Sequence, residues 1–235
     1  MDRKQKVLVL NASPHREHSC TMRLTRKFVE GMREAMDCDV EEVTLSGKKI
    51  EPCAGCMRCW QKTPGQCAIR DDFPAIKQKV LAADIIIESF PLYFFGMPGI
   101  LKNFTDRMLG ELLPYEGHKP EPGKPFHGFR EEMHGKKLVI VSTCGYSQTD
   151  LIYDALLHQY DCIFGPGNYS AVLCAQGKVF SAPELHERLE KYLEKHIEAG
   201  REFGETGTLS RETEQHLQEP PFNERRFQLL MDMFW

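Results

Sequence analysis

At 235 residues the chain has room for one large domain, or one domain with extensions, and at this size it buries roughly 70% of its unfolded surface without disulfide staples. Hydrophobic residues at 41% and charged residues at 27% are an ordinary balance for a globular protein, and a formal charge of −4 lacks the basic footprint of a nucleic-acid binder. The start, MDRKQKVLVLNASP, is basic but its apolar run is too short for a signal-peptide core, and no stretch approaches the ~20 apolar residues of a membrane span; neither nucleic acid nor membrane is an expected partner, and the cytoplasm, where thiols stay reduced, is the expected compartment.

Five strand-like runs are predicted at 6–12, 38–45, 84–90, 137–144 and 169–175. The first, third and fourth are almost continuously apolar, as strands covered on both faces are; the second alternates and suits an edge. Helical segments fall between them. In 19–36, Leu24, Phe28, Met32 and Ala35 recur at helical spacing; 72–83 offers Asp72 as N-cap with Pro74 in the first turn; in 97–112, Leu101, Phe104 and Met108 form one stripe. Two further helices are predicted over 149–160 and 182–200, the second with Leu185, Leu189, Tyr192 and His196 on one stripe and Gly200 as its C-cap. Strands alternating with helices mean parallel strands with right-handed crossovers, hence an α/β, doubly wound, five-stranded sheet in the flavodoxin-like order 2-1-3-4-5. Residues 1–200 form this domain. The loop 112–135, rich in Pro, Gly and His, is an insertion of functional, interfacial or mobile character, and 201–235 is a C-terminal extension that packs on the domain or on a partner subunit.

Ligands of such sheets sit beyond the C-terminal strand ends, where the strand order reverses. The loop NASPHREHSCT, between the first strand and helix, lies there. Ser13, Ser19 and Thr21 bring hydroxyls, and the first N–H groups of the helix favour an anion, so the loop reads as a monophosphate pocket or as a Ser/Thr-rich helix cap without ligand. Neither G-x-G-x-x-G nor G-x-x-x-x-G-K-[ST] is present, which excludes those phosphate loops. Two more loops reach the same edge: SFPLYFFGMPG, with Tyr93, Phe94, Phe95 and Gly96, and TCGYSQT, where Gly145 lets backbone N–H groups near Tyr146 approach a flat ring system.

The SP…S-x-T pattern after the first strand, P-x-Y-F after the third and LKNFTDR in the next helix resemble the NADPH-dependent FMN reductase family of flavodoxin-like proteins. The resemblance implies FMN. It implies that Ser13, Ser19 and Thr21, with His15 and Cys20 in the same loop, hold its phosphate. It implies that Pro91, Leu92, Tyr93, Phe94 and Gly96 line the isoalloxazine, and that Thr143, Gly145 and Tyr146 meet its pyrimidine edge. His15 stands where arginine is common in the family, with Arg16 beside it. Lys102, Asp106 and Arg107 match the family as a helix-surface ion-pair group. The implied activity is an NAD(P)H oxidoreductase: hydride passes from a transiently docked nicotinamide to the flavin N5, and electrons go on to a small-molecule acceptor. No protein acid or base is required. A homodimer is also implied, and the apolar FQLLMDMFW end is a candidate clasp.

Cys53, Cys56, Cys59 and Cys67 fall in CAGCMRCWQKTPGQC, four of nine cysteines in the chain. Thiolates this close favour an iron–sulfur cluster over zinc, which more often takes two separated pairs. The motif resembles that of iron–sulfur flavoproteins, which carry [4Fe–4S] beside FMN and exchange electrons with a ferredoxin-like protein; it also resembles flavin oxidoreductases without an assigned cluster. Cluster, reduced or redox-active thiols, zinc and disulfide all remain open on this spacing. Trp60 covers the flavin or packs under the loop; Asp71 and Asp72 read as helix-capping; Cys38, Cys162 and Cys174 read as small core residues, and Cys144, like Cys20, as packing in a flavin loop. His118, His127 and His134 of the long loop are read as solvent-exposed. A binding protein that keeps the fold without chemistry is the non-enzymatic alternative.

Overall fold

Strand β1 (Gln5–Asn11) sits inside the sheet because its apolar run is covered on both faces. It pairs in parallel with β2 (Cys38–Thr44) and β3 (Ile85–Pro91), and β4 (Lys137–Thr143) and β5 (Ser170–Cys174) complete the predicted order β2-β1-β3-β4-β5. The computed structural model describes residues 3–114, 121 and 123–234. Successive residues of the inner strands face opposite sides. Val7, Val9, Ile85, Ile87, Val139 and Val141 meet helices α1 (Cys20–Ala35) and α6 (His186–Thr206). Leu8, Leu10, Ile86, Phe90 and Ile140 meet α3 (Phe73–Ala82), α4 (Gly99–Arg107) and α5 (Asp154–Phe164) on the other face. The short α2 (Arg58–Gln61) belongs to the cysteine loop.

Three sequence expectations are corrected by packing. Helix α6 does not stop at Gly200: it continues to Thr206 and ends on Gly207, at φ 76° with its N–H on the Phe203 carbonyl at 2.7 Å. Gly200 is instead where α1 and α6 cross, since a Cβ there would lie 1.9 Å from the Phe28 carbonyl oxygen. Helix α5 starts at Asp154, five residues after the predicted 149, because Leu151 takes a left-handed φ of 64° and Ile152 closes a turn onto Thr149. Cys174 is a core residue as expected, but Cys38 and Cys162 are only half-buried.

Beyond α6, α7 (Arg211–Gln218) is capped by Ser210, whose Oγ accepts the Thr213 N–H at 3.2 Å, and α8 (Glu224–Phe234) follows. Leu209, Leu217, Phe222 and Phe227 bury themselves in the α1/α6 core, each contributing roughly 1.5–3 kcal/mol by removal from water. Glu214 Oε1 accepts the Ala171 N–H at 2.8 Å, covering part of the free edge of β5. Among the described residues no helix is long and apolar enough to cross a membrane.

Candidate flavin site and cysteine pocket

The loop after β1 is shaped by Asn11, a buried residue that the sequence analysis did not single out. Its Oδ1 accepts the Ser13 N–H at 3.1 Å, and its Nδ2 donates to the Arg16 carbonyl at 3.1 Å and to Glu42 Oε1 at 3.3 Å. Asn at a strand end is a common turn signal, and that was the legible clue. The loop then makes a short 3-10 turn over Arg16–His18, leaving His15 and Arg16 exposed. Ser19 is the N-cap of α1, its Oγ accepting the Met22 N–H at 3.4 Å. The other first-turn N–H groups have no carbonyl a turn earlier to bond, so the helix start presents free donors and the positive end of its dipole.

Buried hydroxyls fix this helix start against the sheet. Thr21 Oγ1 lies 2.6 Å from Thr143 Oγ1, and Thr25 Oγ1 lies 2.7 Å from Ser89 Oγ. Thr21 is therefore committed inward, tying α1 to the end of β4, while Ser13 Oγ accepts the His15 N–H at 3.3 Å. Cys20 is half-buried, and burial pushes its thiol up against the opposing pull of Arg23 and Lys178.

The other two loops close on each other beside it. Leu92 N–H donates to the Thr143 carbonyl at 2.8 Å, just past Pro91. Tyr93 and Gly96 exchange backbone hydrogen bonds at 2.9 and 3.0 Å, so Phe94 and Phe95 occupy a two-residue turn at φ 49° and 65°. Left-handed backbone at two successive bulky residues is strained, of the order of 1–3 kcal/mol each. The turn also leaves Phe94 99% exposed, an arrangement with no folding advantage. Phe95 stacks on Tyr146 at 5.8 Å between ring centroids, joining the two loops; Tyr93 and Tyr146 stay exposed. Gly145 has open space where a side chain would stand. Behind this loop, Gln176 donates to the Ser147 carbonyl at 3.1 Å and the Phe222 carbonyl at 2.8 Å, linking it to the C-terminal extension. An open backbone at Gly145, exposed aromatic rings and an anion-favouring helix start on one edge fit a phosphate-bearing planar cofactor.

The cysteine loop is braced from below. Trp60 packs under the loop, its Nε1 donating to the carbonyls of Leu109 and Leu112 at 2.8 and 2.9 Å and its ring against His127. His127 is thus half-buried and His134 exposed; His118 lies outside the described residues. Lys102 pairs with Asp106 at the surface, but Arg107 is a correction: its side chain and that of Asp71 are fully buried as a two-pronged ion pair. Burial works against the Arg107 charge, and Asp71 and Cys67 outweigh it, so its pKa is raised; burial likewise opposes the charge on Asp71, and Arg107 and the backbone donors of Glu51 and Phe73 hold that carboxyl low. Asp71 does take the Phe73 N–H at 3.1 Å, as a cap would, whereas Asp72 accepts from Lys49 instead.

All four cysteines line one small cavity, of about 20 Å³, with Arg107 on its wall. Cys53 and Cys56 are exposed, Cys59 and Cys67 half-buried, and all nine cysteines are free thiols. Burial raises the Cys59 thiol against a backbone hydrogen bond that lowers it, and Cys67, Cys53 and Cys56 raise it further. Arg107 Nε is buried without a hydrogen-bond partner. No group of three or more His, Cys, Asp or Glu among the described residues is arranged to hold a single metal ion. A cubane asks for a wider spread, because each thiolate binds its own iron, and an orphaned donor on a buried cation suits its negative charge.

An open parallel sheet with its pocket-forming loops at the reversal between β1 and β3 defines the flavodoxin-like class of α/β proteins. Solved structures agree on the fold. An NAD(P)H:quinone oxidoreductase from Methanothermobacter marburgensis superposes with a TM-score of 0.61 at 20% identity, covering 87% of this chain and 99% of that one. An FMN-dependent NADH-azoreductase from Bacillus anthracis in complex with FMN gives 0.59 at 19%, covering 85% and 99%. The chain belongs to the NADPH-dependent FMN reductase family, whose model matches residues 5–172. Among curated relatives, an iron-sulfur flavoprotein of Archaeoglobus fulgidus is 42% identical over 82 residues, 35% of this chain and 34% of that protein. One of Methanocaldococcus jannaschii is 36% identical over 102 residues, 43% and 51%. The chain thus spans about half or less of the length of these relatives.

Proposed function

We propose that this chain is an FMN-dependent NAD(P)H oxidoreductase passing reducing equivalents from a nicotinamide to a small-molecule acceptor. The observation that carries this reading is the meeting, at one sheet edge, of the capped start of α1, the strained aromatic turn at 93–96 and the open backbone at Gly145. Ser13, Ser19 and the first-turn N–H groups of α1 hold the phosphate, with Thr21 fixing the helix start and Cys20, His15 and Arg16 at the rim. Pro91, Leu92, Tyr93, Phe94 and Gly96 form one lip of the ring site, and Thr143, Gly145 and Tyr146 the other. FMN, when bound, supplies the hydride chemistry. Backbone donors near Gly145 and Tyr146 oppose the build-up of negative charge on the ring, and the aromatic lips keep water from it. The nicotinamide docks and leaves, and no side chain moves a proton. In this reading 201–235 is an extension of a domain formed by 1–200, the protein works in the cytoplasm, and two copies pair through surfaces that include α8, where Leu229 and Met233 are exposed.

Flavin uptake tests the reading. Purified protein is expected to take up added FMN at one per chain by absorbance, and the loaded protein to oxidise NADH or NADPH. Ser19→Ala is expected to weaken FMN about tenfold, in keeping with one lost hydrogen bond to a charged group. A folded protein that takes up no FMN rules the reading out.

A second reading rests on the cysteine cavity beside the unpartnered Arg107 Nε. Cys53, Cys56, Cys59 and Cys67 hold a [4Fe–4S] cluster, and electrons arrive from a ferredoxin-like donor. Iron and sulfide near four each per chain after anaerobic purification, lost in Cys59→Ala, support it; their complete absence from anaerobically reconstituted protein excludes it.

A further inference from the structure

A second, larger cavity lies between the sheet and the layer of α4 and α5, away from the flavin loops, and shares Cys53, Gly55, Asp106 and Leu109 with the cysteine cavity. Its volume is about 770 Å³, within the ~300–1,000 Å³ of small-molecule sites. Leu10, Ile86 and Leu138 of the sheet floor it, and Phe104, Met133 and Ile163 wall it. Polar residues also line it, among them Asp106, Glu111, His134, Lys136, Lys137 and Gln159, and one stands in the middle of the sheet floor. Glu88, in the middle of the central strand β3 and in register with Leu10 and Ile140, is only 8% exposed and lines the cavity. Its Oε2 accepts from the Tyr160 hydroxyl; its Oε1 has no partner among the described residues.

A carboxyl in this place is costly, and the Tyr160 hydroxyl offsets only part of that cost. The cations around the cavity are engaged elsewhere. Of the two lysines that line it, Lys136 Nζ donates to the Leu81 and Ala83 carbonyls at 2.7 and 2.5 Å and Lys137 Nζ to the Gly207 carbonyl at 2.9 Å; Lys77 and Lys102, outside the lining, pair with Glu111 and Asp106. A bound anion would meet Glu88 with both lining lysines turned to backbone carbonyls, and a purely apolar molecule would leave Oε1 unsatisfied. An ammonium on an apolar body satisfies both features of the site.

We propose that this cavity binds a small lipophilic amine, its ring or chain against the apolar walls and its ammonium on Glu88. The proposal is independent of the flavin reading, which concerns other loops. Burial, only partly relieved by the Tyr160 hydroxyl, holds the Glu88 carboxyl up at about 7, so the group is poised to ionise when a cation arrives.

The test uses full-length protein and three probes of one shape: 1-naphthylmethylamine, 1-naphthalenemethanol and 1-naphthoate, titrated by calorimetry at neutral pH. The amine is expected to bind one per chain, about tenfold or more tighter than the alcohol, with the naphthoate weakest. Glu88→Gln, which keeps an acceptor for Tyr160, is expected to cost the amine about tenfold and leave the alcohol unchanged. Ile163→Trp, narrowing the cavity, is expected to weaken both; circular dichroism and FMN uptake report whether each variant is folded. An amine that binds no tighter than the alcohol overturns the proposal. So does amine affinity untouched by either variant, or folded wild-type protein that binds none of the three.

Discussion

Glu88→Gln changes one atom type at the least exposed acid of the central strand, and its effect on stability has a definite sign. In the folded chain the carboxyl is raised from 4.5 to about 7, chiefly by burial. Between those values the folded state holds a proton that the unfolded chain has released, so stability falls as pH rises. Below 4.5 both states are protonated and nothing is lost; above about 7 the full difference is lost, roughly 3 kcal/mol by the conversion of a pKa difference to free energy. At 8% exposed the side chain is close to fully buried, so solvent screening takes little from that figure. Glutamine keeps the shape and an acceptor for Tyr160 but does not titrate. The variant is expected to match wild type near pH 4.5 and to exceed it by roughly 3 kcal/mol at pH 8, raising Tm there by roughly 5–12 °C. Urea unfolding of both chains at several pH values measures it, and every other titrating group cancels from the difference. A stability gap that is the same at pH 4.5 and pH 8 refutes the reasoning.

His196 predicts the opposite limb. Buried with both ring nitrogens unpartnered, it is lowered to about 3 by burial first and then by Lys195 and His216. Stability is lost as pH falls from 6.5, by roughly 3 kcal/mol at pH 4. His196→Leu is expected to remove that part of the acid limb in pH-dependent urea unfolding, and an unchanged limb counts against the burial argument. Gly200→Ala would stabilise an ordinary helix by about 1 kcal/mol; here it is expected to destabilise by roughly 2 kcal/mol or more, because its Cβ overlaps the Phe28 carbonyl. Thermal melts decide, and a gain in Tm would mean the α1/α6 crossing is looser than described. Arg107→Ala leaves the buried Asp71 carboxylate with only backbone donors and no cation, and is expected to cost roughly 3–5 kcal/mol. Adding Asp71→Ala should recover part of that, and additive losses in urea midpoints would show that the two side chains do not act as a pair.

The strands and their order were legible because each apolar run has one length and one periodicity, and parallel strands joined by helices leave few topologies. The position of the loop after β1, at the edge where the strand order reverses, followed from that order. The aromatic character of the turn after β3 was legible, but its geometry was not: nothing in FPLYFFG announces that Phe94 and Phe95 carry left-handed backbone, since those residues disfavour it. Gly200 illustrates the same limit. A glycine near the end of a periodic run reads as a cap, and only the packed position of Phe28 on another helix shows that it is a crossing. Arg107 and Asp71 are 36 positions apart. Their pairing comes from α4 lying beside the cysteine loop, a contact that no local pattern encodes.

By itself the sequence determined the secondary elements, the doubly wound order and the edge at which loops gather, because these follow from side-chain periodicity and backbone chirality, which act over short stretches of chain. Tertiary structure alone decided which hydroxyls face inward and which cysteines share a cavity. It also decided that Glu88, with one hydroxyl for a partner, lines a cavity in the middle of the sheet. Those outcomes depend on distances between residues far apart in sequence, and burial and electrostatics are set by such distances and not by residue order.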